Sequence, residues 1–210
     1  MTAAVPLFEG RRVVFAGDSV TDCGRREGAG GGLGEGYVRL LAESAGLHRT
    51  EVLNRGVGGD RVEDLARRWD ADVVIESPHA VSVMVGINDT WRRYDAGQES
   101  DHATFLARYR ALLERLAPDT AVVLMEPFLL PVTAGQQSWR EDLDPKIAAV
   151  RRLAKEFGAV LVRTDEILNS LVASGRPPES LALDGVHPTP EGHAAIADAW
   201  LEAVTARSVR

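Results

Sequence analysis

The chain has 210 residues, 45% of them hydrophobic and 26% charged, and a net charge of −7. This balance is that of a folded soluble protein and excludes a disordered or fibrous chain. An acidic chain without a basic stripe is unsuited to nucleic acid or an anionic membrane, and the single cysteine, Cys23, excludes an internal disulfide or a cysteine-rich zinc site. Lysine occurs only at Lys146 and Lys155, neither after a glycine, so there is no Gly-Lys-Ser/Thr phosphate loop. The first strong apolar stretch, residues 13–16, is too short for a signal peptide or a membrane span, which predicts a cytoplasmic protein.

In chain order, residues 11–16 (RRVVFA) read as a short buried strand and 37–45 as a helix with Gly46 as its C-cap. Residues 51–54 are a second strand. Residues 62–69 place Val62, Leu65, Ala66 and Trp69 on one helical face. Residues 80–85 form a third strand, followed by a helix over 104–116 with Phe105, Tyr109, Leu112, Leu113 and Leu116 inward. Residues 121–125 form a fourth strand ended by Pro127, and 142–157 a helix with Leu143, Ile147, Val150, Leu153 and Phe157 as its stripe. A fifth strand over 159–162, a short helix over 167–173 and a long one over 191–206 complete the chain.

Five strands thus alternate with helices, and each is a continuous apolar run, as expected where both faces of a sheet are covered. The pattern predicts an α/β fold: a flavodoxin-like three-layer α/β/α sandwich around a five-stranded parallel sheet. No linker divides the chain, so residues 1–210 are expected to form a single domain. Residues 24–36 hold seven of the 20 glycines and lie between the first strand and first helix. They do not match Gly-x-Gly-x-x-Gly, so the dinucleotide fingerprint fails; a rim or lid over a site at the strand ends is the functional reading, and a plain surface loop reads the same way.

Four short segments carry candidate chemistry. Gly17-Asp18-Ser19 directly follows the first strand, which exposes Ser19 at the strand's carboxyl end; a serine capping a helix has the same local sequence. In Asp184-Gly185-Val186-His187-Pro188 the carboxylate is within one turn of the imidazole, where it can fix the tautomer and leave Nε2 as a base; an acidic turn before a helix reads the same way. Asn88, in Gly86-Ile87-Asn88-Asp89 after the third strand, can donate to a developing oxyanion or form an ordinary turn. The segment from Asn54 to Asp60 can present a glycine N–H to the same oxygen, or be a glycine turn before a helix capped by Asp60.

Together and in this order, the four segments resemble the conserved blocks of the SGNH (GDSL-type) hydrolases, across residues 11 to about 200. The resemblance implies the SGNH hydrolase fold and a serine ester hydrolase. Ser19 would be the nucleophile, His187 the general base and Asp184 its orienting acid. The Ser19 N–H, the Gly59 N–H and the Asn88 side chain would form the oxyanion hole, with Gly59 chosen over Gly58 because it directly precedes Asp60. Val20 stands where the family most often has leucine.

Thr21 to Arg25, Gly36-Tyr37-Val38, Ile87 to Arg92 and Pro127-Phe128 further resemble the intracellular acetylxylan-esterase-like branch. This similarity implies removal of short acyl groups, acetyl first, from acetylated sugars or xylooligosaccharides. The alternatives are a short-chain thioesterase, a broad carboxylesterase or a non-catalytic sugar-binding protein. Close relatives can carry an aromatic residue where this chain has Leu183, and Trp91 could supply the missing stacking surface.

Asp18, Arg61, Trp91 and Leu183 are candidates for substrate contact, Arg61 together with Arg92 and Arg93 toward an acidic group. Asp18 has a second reading, in which it orients the Ser19 loop through backbone amides. The expected partner is a small-molecule ester. No cofactor or metal is expected, although Glu191, His193 and His187 lie close in sequence. Whether the chain forms a homo-oligomer is left open. Asn88-Asp89-Thr90 matches the glycosylation pattern, but a glycan there would block the oxyanion hole.

Overall fold

The computed structural model describes residues 8–27, 32–98 and 101–208. Five strands, β1 (Arg12–Gly17), β2 (Glu51–Gly56), β3 (Ala80–Met84), β4 (Ala121–Met125) and β5 (Val160–Val162), form one parallel sheet in the order β2-β1-β3-β4-β5. The helices are α1 (Ser19–Asp22), α2 (Tyr37–Glu43), α3 (Val62–Asp72), α4 (Ile87–Ala96), α5 (His102–Leu113), α6 (Arg140–Glu156), α7 (Thr164–Ala173), α8 (Pro178–Leu181) and α9 (Pro190–Ser208).

The two-residue period of the strands divides the core. Val13 and Phe15 turn to one face, where Tyr37 and Leu41 of α2, Leu168 of α7, Leu181 of α8 and Ile196 and Trp200 of α9 cover them. Val14 and Ala16 turn to the other, against Val62, Leu65 and Trp69 of α3, Phe105 and Tyr109 of α5 and Val150 and Leu153 of α6. The result is the expected three-layer α/β/α sandwich. Trp200 is fully buried, tilted on Phe15 at 5.5 Å between ring centroids, and donates its Nε1–H to Ser82 Oγ at 3.0 Å. No helix among the described residues is long and apolar enough to cross a membrane.

Most departures from the expected elements lie at their ends. Helix α2 stops at Glu43 because Ser44 leaves the helical region, and Gly46 lies inside a 3-10 turn (Ala45–Leu47) instead of capping α2. Helix α5 begins two residues early because Asp101 accepts from the N–H groups of Ala103 and Thr104. The N-cap of α3 is Arg61, not Asp60, and the capping carboxylate comes from Asp64. Helix α4 is a new element: the segment after Asn88 is polar and reads as a turn, yet it runs helically to a left-handed Gly97.

Replacing Trp200 by alanine removes a buried indole and leaves the Ser82 hydroxyl without its donor. We expect a loss of about 3–5 kcal/mol, read as a lower urea midpoint with an unchanged slope.

Candidate active site

The chain passes from β1 to β2 on one side and returns to β3 on the other, so the strand order reverses at β1. In open parallel sheets the ligand crevice lies outside the carboxyl ends of the strands at such a point. The loops after β1, β2 and β3 meet there with the segment before α9. Two other cavities, of about 380 Å³ beside Ala121 and Val160 and about 760 Å³ beside Pro78 and His79, open at the amino-terminal ends of the strands, away from Ser19.

Asp18 ends the strand conformation and accepts the Val20 N–H at 3.1 Å, which starts the single turn of α1 with Ser19 as its first residue. The Ser19 N–H therefore has no intrahelical acceptor. Helix α1 lies directly on the end of β2: a Cβ at Gly56 would collide with the Asp22 backbone nitrogen, so only glycine fits. Asn54, itself buried, fastens the two segments. Its Nδ2 donates to Thr21 O at 2.6 Å and Leu33 O at 2.8 Å, and its Oδ1 accepts the Gly56 N–H at 2.8 Å. The glycine-rich segment is thus stitched back to α1 near Leu33; residues 28–31 of it lie outside the described residues.

Asp22 takes up the Gly58 N–H at 3.1 Å. Gly59 sits at φ +83°, a left-handed conformation suited to glycine, and its N–H meets no acceptor among the described residues. Of the two neighbouring glycines, Gly59 is the one whose donor is open. Arg68 holds this corner from beneath: it donates to Gly17 O at 3.0 Å, Arg55 O at 2.7 Å and Asp60 Oδ2 at 2.6 Å. That engagement explains why Asp60 does not cap α3.

Asn88 lies in the first turn of α4, 5% exposed, with Nδ2 donating to Asp60 O at 3.1 Å. One of the two amide hydrogens is thereby used and the other is available. The next residues anchor the turn. Asp89 accepts the Val62 N–H at 3.0 Å, and Thr90 donates to Asp142 at 2.8 Å. Asp142 also pairs with the fully buried Lys146 and with Arg93. Burial works to raise the Asp142 carboxyl, but its bonds from Lys146, Thr90 and Arg93 hold it below the ordinary value. Asp89 has a less compensated setting, and burial pushes it up to about 6. The Asn88-Asp89-Thr90 sequon is buried throughout.

The segment before α9 supplies the remaining groups. Asp184 Oδ1 accepts the N–H groups of Val186 at 3.0 Å and His187 at 2.7 Å, and Oδ2 lies 2.6 Å from His187 Nδ1. His187 Nε2 lies 3.0 Å from Ser19 Oγ across 168 residues of chain. With Nδ1–H donating to the carboxylate, Nε2 is left to accept the serine proton. Burial works to raise the Asp184 carboxyl, but the bonds from His187 and Val186 hold it below its usual range. Gln136, from the 3-10 turn Ala134–Trp139, pins the segment by donating to Asp184 O at 2.7 Å while accepting the N–H groups of Val132 and Thr133.

Ser19, His187 and Asp184 thus form one hydrogen-bonded line, Gly58 lies beside Ser19, and Asn88 is tied to the same loop as Gly58 through Asp60 O. The four residues expected at the substrate divide. Asp18 is 1% exposed, so its carboxylate caps α1 from within and does not face the crevice. Arg61 spends its guanidinium on Asp64, Glu63 and Gln98, and Arg92 and Arg93 pair with Asp95 and Asp142. Trp91 lies beside His187, its ring centroid 5.9 Å from the imidazole, and Leu183 is 74% exposed next to Asp184.

His193 and Glu191 do not join His187. Glu191 pairs with Arg176, and His193 Nδ1 accepts the Tyr37 N–H at 3.2 Å with Nε2 3.3 Å from Cys23 Sγ. Burial pushes His193 down to about 4, so it is neutral, and burial also raises the Cys23 thiol. Cys23 is therefore half-buried against a histidine. The sequence reading missed Arg68 and Gln136, whose bonds to Gly17 O, Arg55 O and Asp184 O join segments distant along the chain and so leave no spacing signal.

This geometry agrees with what the chain is similar to. The GDSL-like lipase/acylhydrolase family model matches residues 15–195. An acetylxylan esterase from Geobacillus stearothermophilus is 36% identical over 217 residues, covering 97% of this chain and 98% of that protein. A crystal structure of that acetylxylan esterase superposes with a TM-score of 0.85 at 32% identity, covering 95% of this chain and 96% of the other. A candidate GDSL-like lipase from Parabacteroides merdae gives 0.86 at 31% identity, covering 96% and 98%. The chain belongs to the GDSL-like lipase/acylhydrolase family. It is a carboxylic ester hydrolase, with the fold of that group.

Burial pushes the Asp18 carboxyl up from its ordinary 3.8 to about 7, the Val20 N–H offsetting part of the effect. Across that window the folded chain keeps a proton that the unfolded chain has lost, so this contribution to stability is complete below the lower value and lost as pH rises through the upper. The Asp18→Asn variant lacks this titration. We expect the wild-type-minus-variant difference in Tm to fall between pH 4 and pH 8; a flat difference would contradict it.

Proposed function

We propose that this esterase removes short acyl groups, acetyl above all, from small substrates such as acetylated sugars and xylooligosaccharides, by a Ser-His-Asp triad and an acyl-enzyme. The observation that carries the reading is the unbroken line from Ser19 Oγ to His187 Nε2 at 3.0 Å and from His187 Nδ1 to Asp184 Oδ2 at 2.6 Å. His187 takes the hydroxyl proton as Ser19 Oγ attacks the ester carbonyl. The imidazolium is stabilised by Asp184, which its three N–H donors hold ionised.

The carbonyl oxygen becomes an oxyanion facing the Ser19 N–H, the Gly59 N–H and the free hydrogen of the Asn88 amide. The bond from Asn88 Nδ2 to Asp60 O supports this reading, because an amide held in advance needs little rearrangement as charge develops. Collapse of the intermediate expels the alcohol, which takes its proton from His187. Water, deprotonated by His187, then attacks the acetyl-serine and releases acetate. The similarity to an acetylxylan esterase over nearly the whole chain supports acetyl as the acyl group and a sugar as the alcohol.

Ser19→Ala is expected to lower kcat on p-nitrophenyl acetate by roughly 10⁶, to background, with an unchanged Tm. Asn88→Ala leaves two donors in place, and kcat should fall by about 10²–10³. Near-wild-type activity in Ser19→Ala would remove the nucleophile assignment. In a panel of acetylated xylooligosaccharides, acyl thioesters and p-nitrophenyl esters of rising chain length, kcat/KM should be highest for the acetyl oxygen esters. A preference for long chains or thioesters would overturn the substrate reading and leave the triad standing.

A further inference from the structure

Helix α4 does more than carry Asn88. Asn88, Trp91 and Tyr94 follow at three-residue steps, which places them along one side of the helix. From His187 outward the rings form a row. Trp91 is 5.9 Å from the imidazole, Trp139 is 5.6 Å from Trp91, and Tyr94 stacks on Trp139 at 5.4 Å with 14° between planes. Trp91 and Trp139 are half-buried. Their inner sides pack on an apolar cluster of Ile87, Leu129, Leu143, Ile147 and Val186. The Tyr94 hydroxyl lies 2.7 Å from Ser138 O and 3.1 Å from Glu141 Oε1, which fixes the ring that backs Trp139.

We propose that Trp91 and Trp139 form a sugar-binding wall, and that Trp139 carries the sugar unit beyond the one whose acetyl group is cleaved. The inference rests on the acetylated-sugar reading above. A pyranose ring has hydroxyls around its rim and C–H groups on its faces, and an indole plane covers such a face through dispersion and apolar contact. Each step along the row is about the width of one such ring. A long acyl chain would be suited by an apolar border, but the border here is charged, with Arg92, Asp95 and Glu141 exposed in part. Those groups can meet sugar hydroxyls. The backing by Tyr94 and the apolar cluster orients the platform before substrate arrives, which lowers the entropy lost on binding. Leu183, exposed beside Asp184, has no ring to offer, and the Trp91–Trp139 wall provides the stacking surface instead.

The test is the selectivity of Trp139→Ala and Trp139→Leu, measured as kcat/KM on an acetylated xylooligosaccharide divided by kcat/KM on p-nitrophenyl acetate. Trp139→Leu keeps contact with the apolar cluster, so it serves if the alanine variant does not fold. We expect the ratio to fall about tenfold, carried by a higher KM for the oligosaccharide, with Trp139→Phe recovering most of the loss. A ratio that stays at the wild-type value overturns the wall while the esterase reading stands. If the wild-type enzyme cleaves p-nitrophenyl acetate but no acetylated sugar, the substrate reading fails and the wall falls with it.

Discussion

A hydroxyl near the start of the chain has to stay 3.0 Å from an imidazole 168 residues later, and neither loop can set that distance by itself. Both are tied to the sheet by buried polar side chains that bond to backbone atoms. Asn54 and Arg68 hold the Ser19 side through Thr21 O, Gly17 O and Arg55 O. Gln136 holds the His187 side through Asp184 O. Loop backbone groups buried at the strand ends need partners in any case. Here the partners come from β2, α3 and the 3-10 turn Ala134–Trp139, so satisfying the backbone also fixes the site.

The electrostatics follow from the same bonds. Asp18 and Asp184 lie on opposite sides of Ser19 and His187, and their environments drive them in opposite directions. Asp184 accepts three N–H groups and is held below its ordinary range, whereas Asp18 accepts the Val20 N–H against complete burial and rises to about 7. Burial works to raise both, but Asp18 is wholly buried with one backbone donor whereas Asp184 is partly exposed with three N–H donors, so the two end on opposite sides of the ordinary value. The acid that must stay charged to stabilise an imidazolium is the one with the donors. The acid that shapes α1 can carry a proton without losing the acceptor that its cap needs.

The sheet was legible because most of its strands are apolar runs, and helices α3 and α6 because their apolar stripes keep a regular period. Ser19, Asn88 and the Asp184–His187 pair were legible because the chemistry needs particular residue types at the ends of elements, in a fixed order. What escaped is equally physical. Helix α4 has few apolar residues, and its buried side includes Asn88, Asp89 and Thr90, whose partners come from the loop before α3, from α3 and from α6. The roles of Arg68 and Gln136 depend on carbonyls brought together only by folding. Asp18 reads in the sequence both as a substrate contact and as the residue that orients the Ser19 loop through backbone amides, and its 1% exposure with the bond from Val20 N–H leaves the second.

Helix α4 explains why those hidden contacts matter. Its first turn holds the Asn88 amide, proposed as an oxyanion donor, and the residues beyond it include Trp91 and Tyr94. A change in the pitch or rotation of α4 would displace the amide and the rings together. The buried Lys146–Asp142 pair beneath Thr90, with Arg93 and the Asp89 bond to Val62, fixes that rotation. A buried ion pair adds little net stability over a well-packed apolar pair, because removing both charges from water is costly. Its directional bonds still discriminate against a slipped helix, which an apolar contact would tolerate. The polar side of α4 that concealed the helix in the sequence is therefore what sets the position of the residues it carries.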